Sequence, residues 1–178
     1  MSPSCIRDIS GRCIEGVKDA CVCWSDKIYW KHKLLLALAY GTIVAMTVVL
    51  FCEVFLLYVG IAYITIVLFV APIIEEAAKG FIVYGEEEPY GVILVVSLSA
   101  LAFGLIEWTM KVLLLGIYFM TFTPFLHVLF SLPIAIGYAH GLRQNDLRKA
   151  KIYAIIGYII AVILHSLYNY WVVLVYGI

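Results

Sequence analysis

After Lys33 the chain is written as long apolar runs cut by short polar ones. Five runs, 34–58, 60–84, 91–117, 122–142 and 151–177, each reach the roughly 20 apolar residues that a helix needs to cross a bilayer. The connections from Gly85 to Tyr90 and from Gly141 to Lys151 are short and polar. None of the runs alternates polar and apolar positions, as barrel strands must. The pattern predicts an all-α, polytopic transmembrane helix bundle of about five spans, one domain over 34–178.

Residues 1–33 follow a different pattern. Ile6, Ile9, Cys13, Ile14, Val17, Ala20, Cys21 and Trp24 recur at helical spacing, with Glu15, Lys18 and Asp19 on the other side. This predicts an amphipathic helix lying on the membrane surface, so membrane lipids are the first expected partner. The segment lacks the early apolar core of a signal peptide. Cys5, Cys13, Cys21 and Cys23 fall here. They read as small apolar residues, because a C-x-C without a second close pair is a weak metal signal. A cytoplasmic face disfavours disulfides, and acylation of one of these thiols is a further option. Cys52, inside the first run, reads as packing.

Composition strengthens the membrane reading. Hydrophobic residues make up 65% and charged residues 13% of the chain, where a soluble domain carries about 25% charged residues. The net charge of zero gives no footprint for nucleic acid. Arg7, Arg12, Lys18, Lys27, Lys31 and Lys33 precede the first run, and Arg143, Arg148, Lys149 and Lys151 lie between the fourth and fifth. Five spans bring both groups to one side. The positive-inside rule makes that side cytoplasmic, with the C-terminus outside the cell membrane.

Against this background the polar residues within the runs stand out. Ala71-Pro72-Ile73-Ile74-Glu75-Glu76-Ala77-Ala78-Lys79 places three charges in five residues. Each costs about 2.5–3.5 kcal/mol near a bilayer centre. Lys79 is within one helical turn of both acids, and Pro72 should kink or interrupt the helix. Two adjacent carboxylates in low dielectric can share and exchange a proton; an ion-pair network that locks the bundle is the structural alternative. The third run carries Glu107 with Lys111 one turn on, and Ala100 and Gly104 on the same face let another helix approach. His127 follows Pro124 early in the fourth run. His140 sits at the cytoplasmic end and reads as solvated; Glu53 reads as interfacial. The fifth run carries His165 and Asn169, four apart on one face, a pair suited to proton transfer and oxyanion contact or to an inter-helix hydrogen bond.

At about 1.5 Å per residue, Glu75 and Glu76 lie about 22 Å below the outer surface, His165 about 18 Å, Glu107 about 15 Å and His127 about 8 Å. The first groups can share a chamber. His127 joins them only if the helix breaks at Pro124 or begins below the surface.

Taken together, EExxK at Glu75, FxxxE at Phe103 and Glu107, a histidine on the next helix, and HxxxN at His165 and Asn169 resemble the PrsW-type intramembrane proteases. These belong to the superfamily of CAAX prenyl proteases and bacteriocin-processing enzymes. The resemblance covers roughly residues 60–170. The CAAX branch shows EExxxR and FxxxH; Lys79 and Glu107 depart from it toward the PrsW branch. The resemblance implies an intramembrane endopeptidase. Glu75 would activate water with Glu76 beside it, and His127, His165 and Glu107 would position that water or bind zinc. Asn169 would support the oxyanion and Lys79 would balance the charge. The implied partner is a transmembrane protein substrate, such as a single-span anti-sigma factor. Two His and a Glu make a plausible zinc set and an equally plausible metal-free one. An inactive scaffold of the same superfamily and a small proton-coupled transporter are the competing readings. The transporter is disfavoured by the absence of an internal repeat.

Overall fold

The structure is a computed structural model. It describes residues 18–44, 62–115 and 121–176, with 47, 55 and 58–60. By compactness the chain divides into two units, Met1–Leu36 and Ala37–Ile178. The candidate site lies in the second. Among the described residues all regular structure is helical. The main elements are α1 (Lys18–Val44), α2 (Ala71–Gly80), α3 (Pro89–Leu115), α4 (Thr123–Arg143) and α5 (Leu147–Tyr176).

Among the described residues, three helices are long and apolar enough to cross a membrane: Pro89–Leu113, Thr123–Arg143 and Leu147–Tyr176. They match the last three predicted runs. Most of the run 34–58 beyond α1 lies outside the described residues, as do residues 1–17 with Cys5 and Cys13, and also Cys52 and Glu53. α1 passes through the expected boundary at residue 33 without a break.

From Tyr63 to Gly85 the second run is helical but changes winding along its length. A short turn at Tyr63–Thr65 leads into a π-helical segment, Ile66–Val70, then α2, then a 3-10 segment, Phe81–Gly85. Pro72 stands in the first turn of α2, where a residue without an N–H is tolerated. The interruption expected from Pro72 is therefore present, and it takes the form of the π segment just before it.

α5 shows how the bundle meets lipid. Ala150, Ala154, Gly157, Ala161 and His165 are buried, while Ile155, Ile159, Ile163, Leu167 and Trp171 are exposed. Small residues face the protein and large apolar ones face outward, the pattern of a helix packed in a membrane. The small face allows backbone contact with α4. A Cβ on Gly157 would stand 2.2 Å from the Pro133 carbonyl oxygen, and one on Gly137 would stand 2.4 Å from that of Tyr153.

α2 is held by side chains that donate to its main chain. Tyr40 Oη on α1 donates to the Ala78 carbonyl at 2.8 Å. Tyr158 Oη on α5 donates to the Ile73 carbonyl at 2.9 Å. Both bonds anchor the short helix that carries the acidic pair.

Candidate active site

α2 presents Glu75, Glu76 and Lys79 inward, all buried (3%, 0% and 1% exposed). A charged trio survives such burial only by mutual pairing and hydrogen bonding. Lys79 Nζ donates to Glu76 Oε1 at 2.5 Å. It also lies 2.9 Å from His127 Nδ1 and 4.8 Å above the Phe103 ring centroid, a cation–π contact. The second oxygen of Glu76 accepts from Ser131 Oγ at 2.8 Å, and its first also meets His165 Nδ1 at 2.9 Å.

His127 reaches this cluster from the first turns of α4, on the face buried against the protein. The helix starts at Thr123 with Pro124 in its first turn, and His127, one turn in, is 2% exposed. Gly104 on α3 makes room for it: a Cβ there would stand 2.6 Å from Pro124 Cα and 2.8 Å from His127 Cδ2. Glu107, one turn beyond Gly104, bonds His127 Nε2 through one oxygen and Lys111 through the other. His165 comes from the inward face of α5, stacked on Phe130 with ring centroids 5.2 Å apart. Its ring lies 5.2 Å from that of His127.

The contacts assign the imidazole protons. Lys79 Nζ can only donate, so His127 Nδ1 accepts and its Nε2–H is directed to Glu107. His165 Nδ1–H is directed to Glu76, leaving its Nε2 as the acceptor. Both acceptor nitrogens then turn toward Glu75. Glu75 Oε2 is 3.9 Å from His127 Nδ1, 3.9 Å from His165 Nε2 and 3.9 Å from Lys79 Nζ.

Donor atoms of Glu75, His127 and His165 lie within 4.8 Å of one another, close enough to hold a metal ion. The donor types suit zinc, whose bonds of about 2.0–2.1 Å imply tetrahedral donors about 3.3 Å apart. The set therefore fits by chemistry and closes with a small contraction, provided that Lys79 yields the His127 Nδ1 lone pair. Each imidazole is backed by a carboxylate through its other nitrogen, the usual support of a metal-bound histidine.

Of the residues singled out in the sequence, Glu75, Glu76, Lys79, Glu107, His127 and His165 come together. Glu107, grouped there with the metal donors, meets the cluster through His127 Nε2. Asn169 is placed elsewhere: its Nδ2 donates to the Val67 carbonyl at 2.8 Å. His140 is exposed, and its Nε2 accepts from Gln144 Nε2 at 2.9 Å. Ser131 and Phe130 were not singled out. Ser131 could have been found, since it lies four residues after His127 and shares its face.

Glu75 comes from the short α2, and His127 and His165 from two of the helices long and apolar enough to cross a membrane; such a buried set is what a membrane-embedded metallohydrolase needs, and the sequence comparison gives the family. The profile of the PrsW family intramembrane metalloproteases matches residues 30–178, and the chain belongs to that family. Comparison with curated proteins and with solved structures finds no match.

Proposed function

We propose that the chain is an intramembrane endopeptidase in which Glu75 activates the attacking water, and that Glu75, His127 and His165 are the residues that would hold a divalent metal such as zinc. The observation that carries this reading is the convergence of His127 Nδ1, His165 Nε2 and Lys79 Nζ on Glu75 Oε2, each at 3.9 Å. Glu107 and Glu76 act behind the imidazoles as orienting acceptors.

In this mechanism Glu75 takes a proton from water as the water oxygen bonds to the scissile carbonyl carbon. The carbonyl π electrons move to its oxygen, and the Lys79 ammonium offsets the charge that develops there. When the oxyanion collapses, the C–N bond breaks and Glu75 returns the proton to the leaving nitrogen. A metal held by His127, His165 and one carboxylate oxygen of Glu75 would polarise the carbonyl and lower the pKa of the water, and the other oxygen of Glu75 would then act as the base. His165, fixed by Glu76 and Phe130, keeps its Nε2 aimed at the reactants.

A membrane-protein substrate is supported by a cavity of about 220 Å³ that reaches Glu76 and is otherwise lined by apolar or small groups, among them Gly80, Phe81, Ile134, Ala154 and Tyr158. Its volume suits an apolar side chain of a transmembrane segment. The basic residues Arg143, Arg148, Lys149 and Lys151, on either side of the turn between α4 and α5, support a cytoplasmic placement for that end of the bundle.

The test is reconstitution in liposomes with a single-span substrate in H₂¹⁸O. We expect a single cut with label in the new carboxylate, abolished by a chelator and restored by zinc. A substrate left intact both with and without zinc contradicts the proposal.

A further inference from the structure

The π segment before α2 runs into Pro72, so main-chain donors there fall short of the carbonyls and a donor from outside the helix is needed. Ala71 N–H reaches back five residues to the Ile66 carbonyl. The next donor in that winding would come from residue 72 and would serve Val67. Residue 72 is proline, which has no N–H. A carbonyl stranded at membrane depth is costly unless a side chain takes it. Asn169 Nδ2 takes it at 2.8 Å.

The position of this bond matters for the acidic pair. Asn169 lies one turn beyond His165 on α5, and His165 bonds Glu76. α5 therefore holds the broken helix on both sides of Pro72, at Val67 and at Glu76. A π turn inserts one residue into the winding, and one residue is about 100° of rotation in an α-helix. Where the π turn sits decides whether Glu75 faces His127 and His165 or another side.

We infer that Asn169 is a positioning residue: it takes the Val67 carbonyl that Pro72 cannot serve, and so fixes the π turn and the rotation of α2 that aims Glu75 at the two histidines. The inference rests on the reading of Glu75 and His165 as reacting groups, and it gives Asn169 a role distinct from oxyanion contact.

The experiment is a double-mutant cycle between Asn169→Leu and Pro72→Ala in the full-length protein. Pro72→Ala restores an N–H that the helix can use itself. With Pro72 in place we expect Asn169→Leu to lower kcat about 10²-fold, the scale of a small misplacement of reacting groups, with KM nearly unchanged and a lowered Tm in detergent. In the Pro72→Ala background the same substitution costs only a few-fold, and most of the Tm loss disappears. Equal losses in both backgrounds overturn the inference and are what direct contact with the substrate would give. If Asn169→Leu does not fold, Asn169→Ser runs the same cycle. The Tm arm is read whether or not any variant cleaves. A wild type that fails to cut therefore counts against the protease reading, and additive Tm losses count against the positioning role.

Discussion

Lys79 Nζ sits 2.9 Å from His127 Nδ1 and 2.5 Å from Glu76 Oε1, so one ammonium ties the acidic pair of α2 to the histidine of α4. It engages the lone pair that a metal at Glu75, His127 and His165 would need. Lysine and metal are thus alternative cations for one position. Lys79→Met should destabilise the metal-free protein by about 3–5 kcal/mol, because it leaves buried charge without its cation. Zinc should raise the melting temperature of this variant more than that of the wild type, since its binding free energy adds directly to stability. Melting in detergent with and without zinc checks both points; equal zinc shifts would contradict the competition.

Glu107 bonds the Nε2 of the same ring, so its effect on the centre passes through His127. Loss of such an outer carboxylate costs about 10–100-fold in metal affinity or activity. Glu107→Ala should show that loss in a chelator competition titration. Glu107→Gln, which keeps an accepting oxygen, should retain most of the affinity. Equal affinities for wild type and Glu107→Ala would remove the orienting role.

Gly104 lets the start of α4 pack closely against α3. A methyl group there would press on Pro124 Cα and His127 Cδ2. Gly104→Ala should cost about 1–3 kcal/mol, the usual range for overpacking. Measured below its melting temperature, it should also lose about 10²-fold in kcat because His127 is displaced. A variant that is destabilised but has an unchanged kcat would show that His127 tolerates the shift.

Much of this site was legible in the sequence because charges in an apolar run have few places to go. The cost of burying Glu75, Glu76 and Lys79 alone argued for a shared polar chamber. Helical spacing put His165 and Asn169 on one face of the last run, and the structure buries His165 at 4% exposure. Spacing fixes a face but not the neighbour that the face meets. His165 and Asn169 share one face of α5, yet one bonds the Glu76 carboxylate and the other a backbone carbonyl. That division arises from the π segment, whose position depends on the missing N–H of Pro72 and on tertiary partners. Likewise, nothing in the spacing tells that Glu107 meets His127 through Nε2 while Lys79 holds Nδ1. Ser131 was missed because a lone serine in an apolar helix carries no energetic alarm.

The central claim is that Glu75 activates the water. Its most direct test is the rate of substrate cleavage by full-length Glu75→Gln in liposomes, read beside its melting temperature. Glutamine keeps the shape and loses the base, so the account predicts a loss of about 10²–10⁴-fold in kcat, the contribution of a general base, with the fold intact. A folded Glu75→Gln that cleaves at the wild-type rate would contradict it.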